Sequence, residues 1–272
     1  MFLYVSILLF VSSYAFDMIS KTRNFNFLKM ASNIEIYKDV DSIANRLCSL
    51  LKESAIKSIK DKGTFNFAIP GGSILKMLAT GENNGVFNDD DIDWTKCTMG
   101  WVNHRAVPLN DETSTEFKAS TLFLDNWKNN GMTCLSLSGS DDAIQEASRY
   151  DDLIISKDIK EWDCMLIGVG LDGHIGSIYP DSEAVSYQGM NCISVIKPNS
   201  SSISLSLQTM INTKNIIIAS GGKSDKYPLG KAEGMFKALE SKEETITSFP
   251  AIALREKAKW LLDENAAQLL SK

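Results

Sequence analysis

An apolar run that stops dead at glycine constrains this chain more than any other feature. Cys164-Met165-Leu166-Ile167 leads directly into Gly168-Val169-Gly170-Leu171-Asp172-Gly173-His174-Ile175-Gly176-Ser177. A short apolar run bounded by glycine reads as a buried strand. A strand whose end offers glycines, an acid and an imidazole is how an open α/β sheet builds a ligand site at its carboxyl edge. The chain has only two histidines, His104 and His174. Histidine is the side chain whose unperturbed pKa lies near neutrality, so His174 is the natural candidate for a general base.

The surrounding pattern predicts what kind of sheet this is. Strands are expected at 34–37, 65–69, 98–102, 132–135 and 163–170, then at 192–196, 202–207, 215–220 and 250–254. Helices are expected at 42–60, with Asp41 as the cap and Gly63 behind its end, and at 74–78, 114–128, 143–155, 222–240 and 262–271. Strands alternating with helices imply an α/β fold, a mainly parallel sheet with helices on both faces. No internal repeat or low-complexity linker breaks the pattern, so one domain over 33–272 is the simplest partition. The formal charge of −6 argues against nucleic acid as a partner, because no basic footprint for phosphate contacts is present. An anionic small molecule needs only local cations and stays compatible.

Residues 1–32 differ from the rest and read as a targeting presequence. Phe2 to Val11 is apolar and is followed by small residues at Ser12, Ser13 and Ala15, the pattern of a signal-peptide core too short to span a membrane. Lys21, Arg23 and Lys29 then stand among Ser, Thr and Asn, as in a transit peptide. Together with Tyr14-Ala15-Phe16 this resembles the bipartite presequences of algae with secondary plastids. Plastid localisation is the expectation. The other readings are a plain secretory signal, or a cytoplasmic protein if initiation is at Met30. No stable membrane association is expected after processing.

The five cysteines are scattered, odd in number and form no CxxC pair, so they read as small buried residues in a reducing compartment. With two histidines and no clustered thiols, no metal site is expected. Gly168 to Gly173 does spell GxGxxG, but Asp172 and His174 stand inside the loop and Tyr179-Pro180 ends any helix at once, so dinucleotide binding is not expected.

Anion-binding elements gather at other strand ends. Gly71-Gly72-Ser73 follows a strand and opens a helix, where backbone N–H groups point outward and glycine permits close approach. Arg105, Lys197 and Lys223 also follow strands. Each alone is better explained by a solvated surface position. Their common position at strand carboxyl ends, which share one edge in this architecture, is what raises them to candidate ligands of a phosphate.

These residues resemble a known family. Gly71-Gly72-Ser73, Arg105-Ala106-Val107-Pro108, Gly168 through Pro180 and Lys197-Pro198 appear in the order found in 6-phosphogluconolactonases, and Phe249-Pro250-Ala251 and Trp260 to Ala267 are similar to the end of that family. The resemblance implies a Rossmann-like phosphosugar isomerase/lactonase fold. It implies hydrolysis of 6-phospho-D-glucono-1,5-lactone to 6-phospho-D-gluconate in the oxidative pentose phosphate pathway, with a small phosphosugar lactone as partner, no cofactor and no metal. His174 would then activate water, with Asp172 either orienting the site or capping the turn at Gly173. Gly71, Gly72, Ser73, Arg105, Lys197 and Lys223 would hold the phosphate or the developing charge. A monomer or homodimer is the expected assembly.

Two departures accompany the match. Asn103-His104 stands where the family usually has Asp-Glu, and Ser200-Ser201-Ser202 where it usually has an arginine. His104 is a candidate second active-site imidazole, placed to bind substrate, or else an uninvolved loop histidine. The competing readings are a glucosamine-6-phosphate deaminase-like isomerase, which shares the Asp-Gly-His element, and a non-catalytic sugar-phosphate binder.

Overall fold

The computed structural model describes residues 33–88, 91–223 and 228–271. The expected presequence, 1–32, lies outside them. The first strand, β1, is Ile34–Tyr37. Helix α1, Val40–Lys62, follows and buries a stripe of Ile43, Ala44, Leu47, Cys48, Leu51 and Ala55. Its cap is Asp39, whose carboxylate accepts the Ser42 N–H, and not Asp41, which lies in the first turn. Gly63 ends it in the left-handed conformation, φ 83°, and donates its N–H to Ile59.

The parallel core is then assembled from both sides of one point. Strand β2 is Phe65–Ile69 and leads into α2, Ser73–Asn83. Strand β3 is Cys97–Trp101, and β5 is Thr133–Cys134. Strand β6, Cys164–Ile167, is buried at every residue. Strands β9, Asn215–Ser220, and β10, Lys259–Asp263, complete the sheet in the order β1-β10-β9-β6-β2-β3-β5. From β2 the chain builds outward through β3 to β5, then returns to lay β6 on the other side of β2 and builds outward through β9 to β10. The strand order therefore reverses between β2 and β6. In open α/β sheets the loops that leave the two strands at such a point diverge and leave a crevice. Here those loops are Pro70–Ser73 and Gly168–His174.

A second sheet was not expected from the sequence. Strand β4, Asn103–Arg105, joins β7, Cys192–Lys197, and β8, Ser200–Leu205, in an antiparallel sheet of order β4-β8-β7. Only Pro198 and Asn199 connect β7 to β8. So short a connection permits a hairpin and cannot make the crossover a parallel pair needs. Val102 is the joint between the sheets, donating its N–H to Ile69 and accepting from Leu205.

Three further expectations are corrected. Residues 250–254 form a short 3-10 helix and not a strand, with Pro250 at its first position. The Ala251 N–H instead binds the Gly173 carbonyl at 3.0 Å, directly under the Asp-Gly-His loop. The segment expected as a helix from 262 begins as strand β10. Asp263 then caps a short helix, Glu264–Ala267, by accepting the Ala266 N–H at 2.7 Å. Helix 222–240 is confined to Ala232–Leu239 among the described residues. All five cysteines are free, and four of them are buried. Among the described residues no helix is long and apolar enough to cross a membrane.

Candidate active site

The loop after β6 is shaped to hold one side-chain pair. The Gly170 N–H donates to the His174 carbonyl at 2.9 Å and the Gly173 N–H to the Gly170 carbonyl at 3.1 Å, closing a tight turn. Gly173 sits at φ 86°, and any side chain there would strike the buried Phe249 ring. Within this turn His174 Nδ1 lies 2.6 Å from Asp172 Oδ1. Burial would push the Asp172 carboxyl up, but its hydrogen bonds with the His174 ring and backbone N–H hold it below the usual carboxylate value. A carboxylate at Nδ1 requires the proton on that nitrogen, which leaves the Nε2 lone pair free to accept.

His174 opens onto a cavity of about 410 Å³ in the crevice between the β2 and β6 loops. Gly71, Gly72 and Ser73 form one wall. Gly72, at φ 75°, precedes α2, and no side chain caps the helix, so its first N–H groups are left for a ligand. Gly71 packs against Thr115, the first residue of α3, Thr115–Ala119, so that a Cβ at Gly71 would come within 3.1 Å of the Thr115 hydroxyl.

Four cations line the cavity: Arg105, Lys118, Lys197 and Lys231. No Asp or Glu lies among the described residues lining it. The Arg105 guanidinium makes no hydrogen bond or ion pair with the described residues. Lys197 Nζ sits 3.1 Å from the centroid of the Tyr179 ring, and that ring lies 4.8 Å from the His174 ring. Lys231 Nζ donates to the Val169 carbonyl at 2.6 Å. Burial pulls the Lys231 ammonium below its ordinary value, against the attraction of Asp172. A cavity with four cations, an uncapped helix N-terminus and no lining carboxylate is built for an anion.

The structure therefore brings Gly71, Gly72, Ser73, Arg105, His174 and Lys197 together, with Asp172 behind His174. It does not bring in Lys223, which is exposed and lies outside the cavity lining. Lys231 provides a lysine from the same connection. Lys118 and Tyr179 were also not singled out from the sequence.

His104 requires a correction. It is 1% exposed and does not line the cavity. Its Nδ1 lies 2.6 Å from the Arg105 carbonyl, so it donates there, and Nε2 accepts the Glu116 N–H at 3.1 Å. The Ser114 hydroxyl is 3.3 Å from the same Nε2, and Trp101 packs edge-on at 5.8 Å. This neutral imidazole ties β4, which carries Asn103 and Arg105, to the start of the helix that carries Lys118. The reason is the strand itself: alternation along β4 sends residues 103 and 105 to one face and 104 to the other.

Burial holds the His104 imidazole below its ordinary value, opposed by the Arg105 carbonyl and the charges of Glu116 and Glu146. In the unfolded chain the ring takes a proton as pH falls through about 6.5, whereas the folded ring does not until lower pH. Folding stability should therefore decline as pH falls below that point. The melting temperature of the wild-type protein is expected to drop more steeply between pH 7 and pH 5 than that of His104→Gln. Equal slopes would refute the buried neutral assignment.

Known proteins resemble this chain in sequence and in fold. A family model described as glucosamine-6-phosphate isomerases/6-phosphogluconolactonase matches residues 38–262. The chain is 27% identical over 212 residues to a probable 6-phosphogluconolactonase of Schizosaccharomyces pombe, covering 71% of this chain and 81% of that one. It is 23% identical over 252 residues to 6-phosphogluconolactonase 3, chloroplastic, of Arabidopsis thaliana, covering 87% of this chain and 75% of the relative. The crystal structure of a 6-phosphogluconolactonase from Shewanella baltica superposes with a TM-score of 0.70 at 18% identity, covering 85% of this chain and 97% of that one.

Proposed function

The chain belongs to the family of glucosamine-6-phosphate isomerases and 6-phosphogluconolactonases, and we propose that it hydrolyses 6-phospho-D-glucono-1,5-lactone to 6-phospho-D-gluconate. One observation carries this reading. An Asp172–His174 pair with a free Nε2 opens onto a cavity lined by four cations and no carboxylate. The relatives named as lactonases support the same substrate.

The residues divide the reaction between them. The phosphate binds among the cations and the N-terminus of α2. His174 Nε2 takes a proton from water as the hydroxide oxygen bonds to the lactone carbonyl carbon. Asp172 keeps the ring in the required tautomer and stabilises the imidazolium. The carbonyl oxygen becomes an oxyanion in a cavity of positive potential, where preformed donors and cations lower the barrier. When the intermediate collapses, the bond from the former carbonyl carbon to the ring oxygen breaks. The His174 proton moves to that oxygen, and the product leaves as a carboxylate with release of one proton to solvent.

Two assays test the substrate. Wild-type protein should accelerate acid release from freshly generated 6-phosphogluconolactone above the spontaneous rate, and should release no ammonia from glucosamine 6-phosphate. Ammonia release without lactone hydrolysis would assign the deaminase reaction instead, and binding without either turnover would assign a sugar-phosphate sensor. Residues 1–32 are proposed to direct the chain to a plastid, a reading supported by the composition of that segment and by the chloroplastic Arabidopsis relative. A fluorescent fusion of residues 1–33 that stays in the cytosol would overturn it.

A further inference from the structure

We propose that Ser177 is the donor through which this cavity recognises an uncharged oxygen of the sugar, with Asn103 and Ser202 as the residues that aim it. The inference rests on the sugar-phosphate reading of the site. It concerns the wall where β4 and β8 face the loop after His174, and the neutral side chains that stand there beside Arg105.

Ser177 is fixed from several directions. It stands in a turn closed by the Ile178 N–H donating to the Ile175 carbonyl at 2.9 Å, and Gly176 before it lies at φ 57°. The residue is 3% exposed, yet it lines the cavity. Its backbone N–H donates to the Ser204 hydroxyl at 3.1 Å, and Ser204 in turn donates to the Leu205 carbonyl at 2.9 Å. The loop is thereby pinned to β8 by a side chain that is itself fully buried.

The hydroxyl of Ser177 then has its accepting capacity filled. Asn103 Nδ2 donates to it at 3.4 Å and Ser202 Oγ donates at 3.1 Å. A serine hydroxyl has two acceptor sites and one proton. With both acceptor sites occupied, Ser177 can only donate, and no acceptor for its proton lies among the described residues. A buried donor without a partner carries a free-energy cost until something accepts from it. The cavity is the one direction left, so the missing acceptor is supplied by the ligand.

Chemistry narrows what that acceptor is. A phosphate is better served by the four cations and the α2 N-terminus. Asn103, Ser177 and Ser202 present no charge, and a neutral donor of fixed direction suits a hydroxyl or ring oxygen. The register of the antiparallel sheet explains how the trio is assembled. Asn103 pairs with Ser204 and Arg105 with Ser202, so β4 and β8 deliver an amide, a hydroxyl and a guanidinium to one cavity face.

The test compares two ligands and two variants. Affinities for 6-phosphogluconate and for inorganic phosphate would be measured by calorimetry on wild type, Ser177→Ala and Ser202→Ala. Ser177→Ala should weaken 6-phosphogluconate binding by about tenfold or more, with phosphate affinity unchanged within about twofold. Ser202→Ala keeps the donor and should cost less than about threefold. Melting curves of the free proteins monitor folding. Unchanged 6-phosphogluconate binding by Ser177→Ala overturns the inference. So do equal losses for both ligands, or equal losses for both variants, since those outcomes mean a structural role. If wild type binds phosphate but not 6-phosphogluconate, it is the sugar-phosphate reading itself that fails.

Discussion

Gly170→Ala should abolish most of the lactonase activity while leaving the protein folded. A Cβ at this position would overlap His174 Nδ1 and come within 2.5 Å of Asp172 Oδ1. No real Cβ occupies such space, so the carboxylate–imidazole pair must separate. Both displaced groups are ends of side chains, and the Asp172 side chain is half exposed, so they can swing away without disturbing the core. The loss should match that of a misplaced general base, about 10²–10⁴-fold in kcat, with a melting temperature within a few degrees of wild type. Gly173→Ala, three residues on, should show the reverse emphasis. There the new Cβ meets the Phe249 ring at 2.5 Å, Phe249 is 2% exposed, and the backbone is left-handed. Left-handed strain and overpacking together cost roughly 2–5 kcal/mol, which lowers the melting temperature of a domain this size by about 5–15 °C. Circular dichroism melts beside initial rates separate the two effects. An active Gly170→Ala, or one that fails to fold, would contradict the geometry of the loop.

Asp172→Asn should reduce kcat by about 10²–10⁴-fold with a much smaller change in KM. The amide is nearly the same shape as the carboxylate, so His174 stays in place. Its chemistry changes, because an amide N–H facing Nδ1 favours the tautomer with the proton on Nε2, where water must be deprotonated. An amide also gives no charge to stabilise the imidazolium. Asp172 lies outside the residues that line the cavity, so substrate binding should survive. Steady-state rates on freshly generated lactone, corrected for spontaneous hydrolysis, decide the matter. A large rise in KM with kcat retained would move Asp172 from orienting His174 to holding substrate.

Much of this site is legible in the sequence because its parts are local. Asp172 and His174 are two residues apart in a glycine-bounded turn, and Gly71-Gly72-Ser73 is a contiguous strand-to-helix junction. Their meeting follows from the rule that parallel strands share a carboxyl edge. What is not local is hidden. The antiparallel sheet depends on pairing β4 with β8, nearly a hundred residues away, and only that pairing turns Asn103-His104-Arg105 from a loop into a strand. Once it is a strand, period-two alternation sends His104 inward and Arg105 to the cavity. Lys118 and Lys231 are invisible for a different reason. A lysine in a helix, like Lys118, or in the turn before one, like Lys231, has the same sequence signature whether it faces solvent or a pocket, and only the packing of the chain around it distinguishes them. Pro250-Ala251-Ile252-Ala253-Leu254 misleads because its apolar character comes from sitting under the active-site loop and not from a place in the sheet.

The central claim is that His174 activates water in a cationic cavity to open a phosphosugar lactone. Initial rates of 6-phosphogluconolactone hydrolysis by wild type and by His174→Ala, at equal protein concentration and near neutral pH, test it most directly. The wild-type rate should stand well above the spontaneous one, and His174→Ala should lose about 10²–10⁴-fold of that enhancement. A His174→Ala protein as fast as wild type, or a wild type no faster than buffer, would contradict the account.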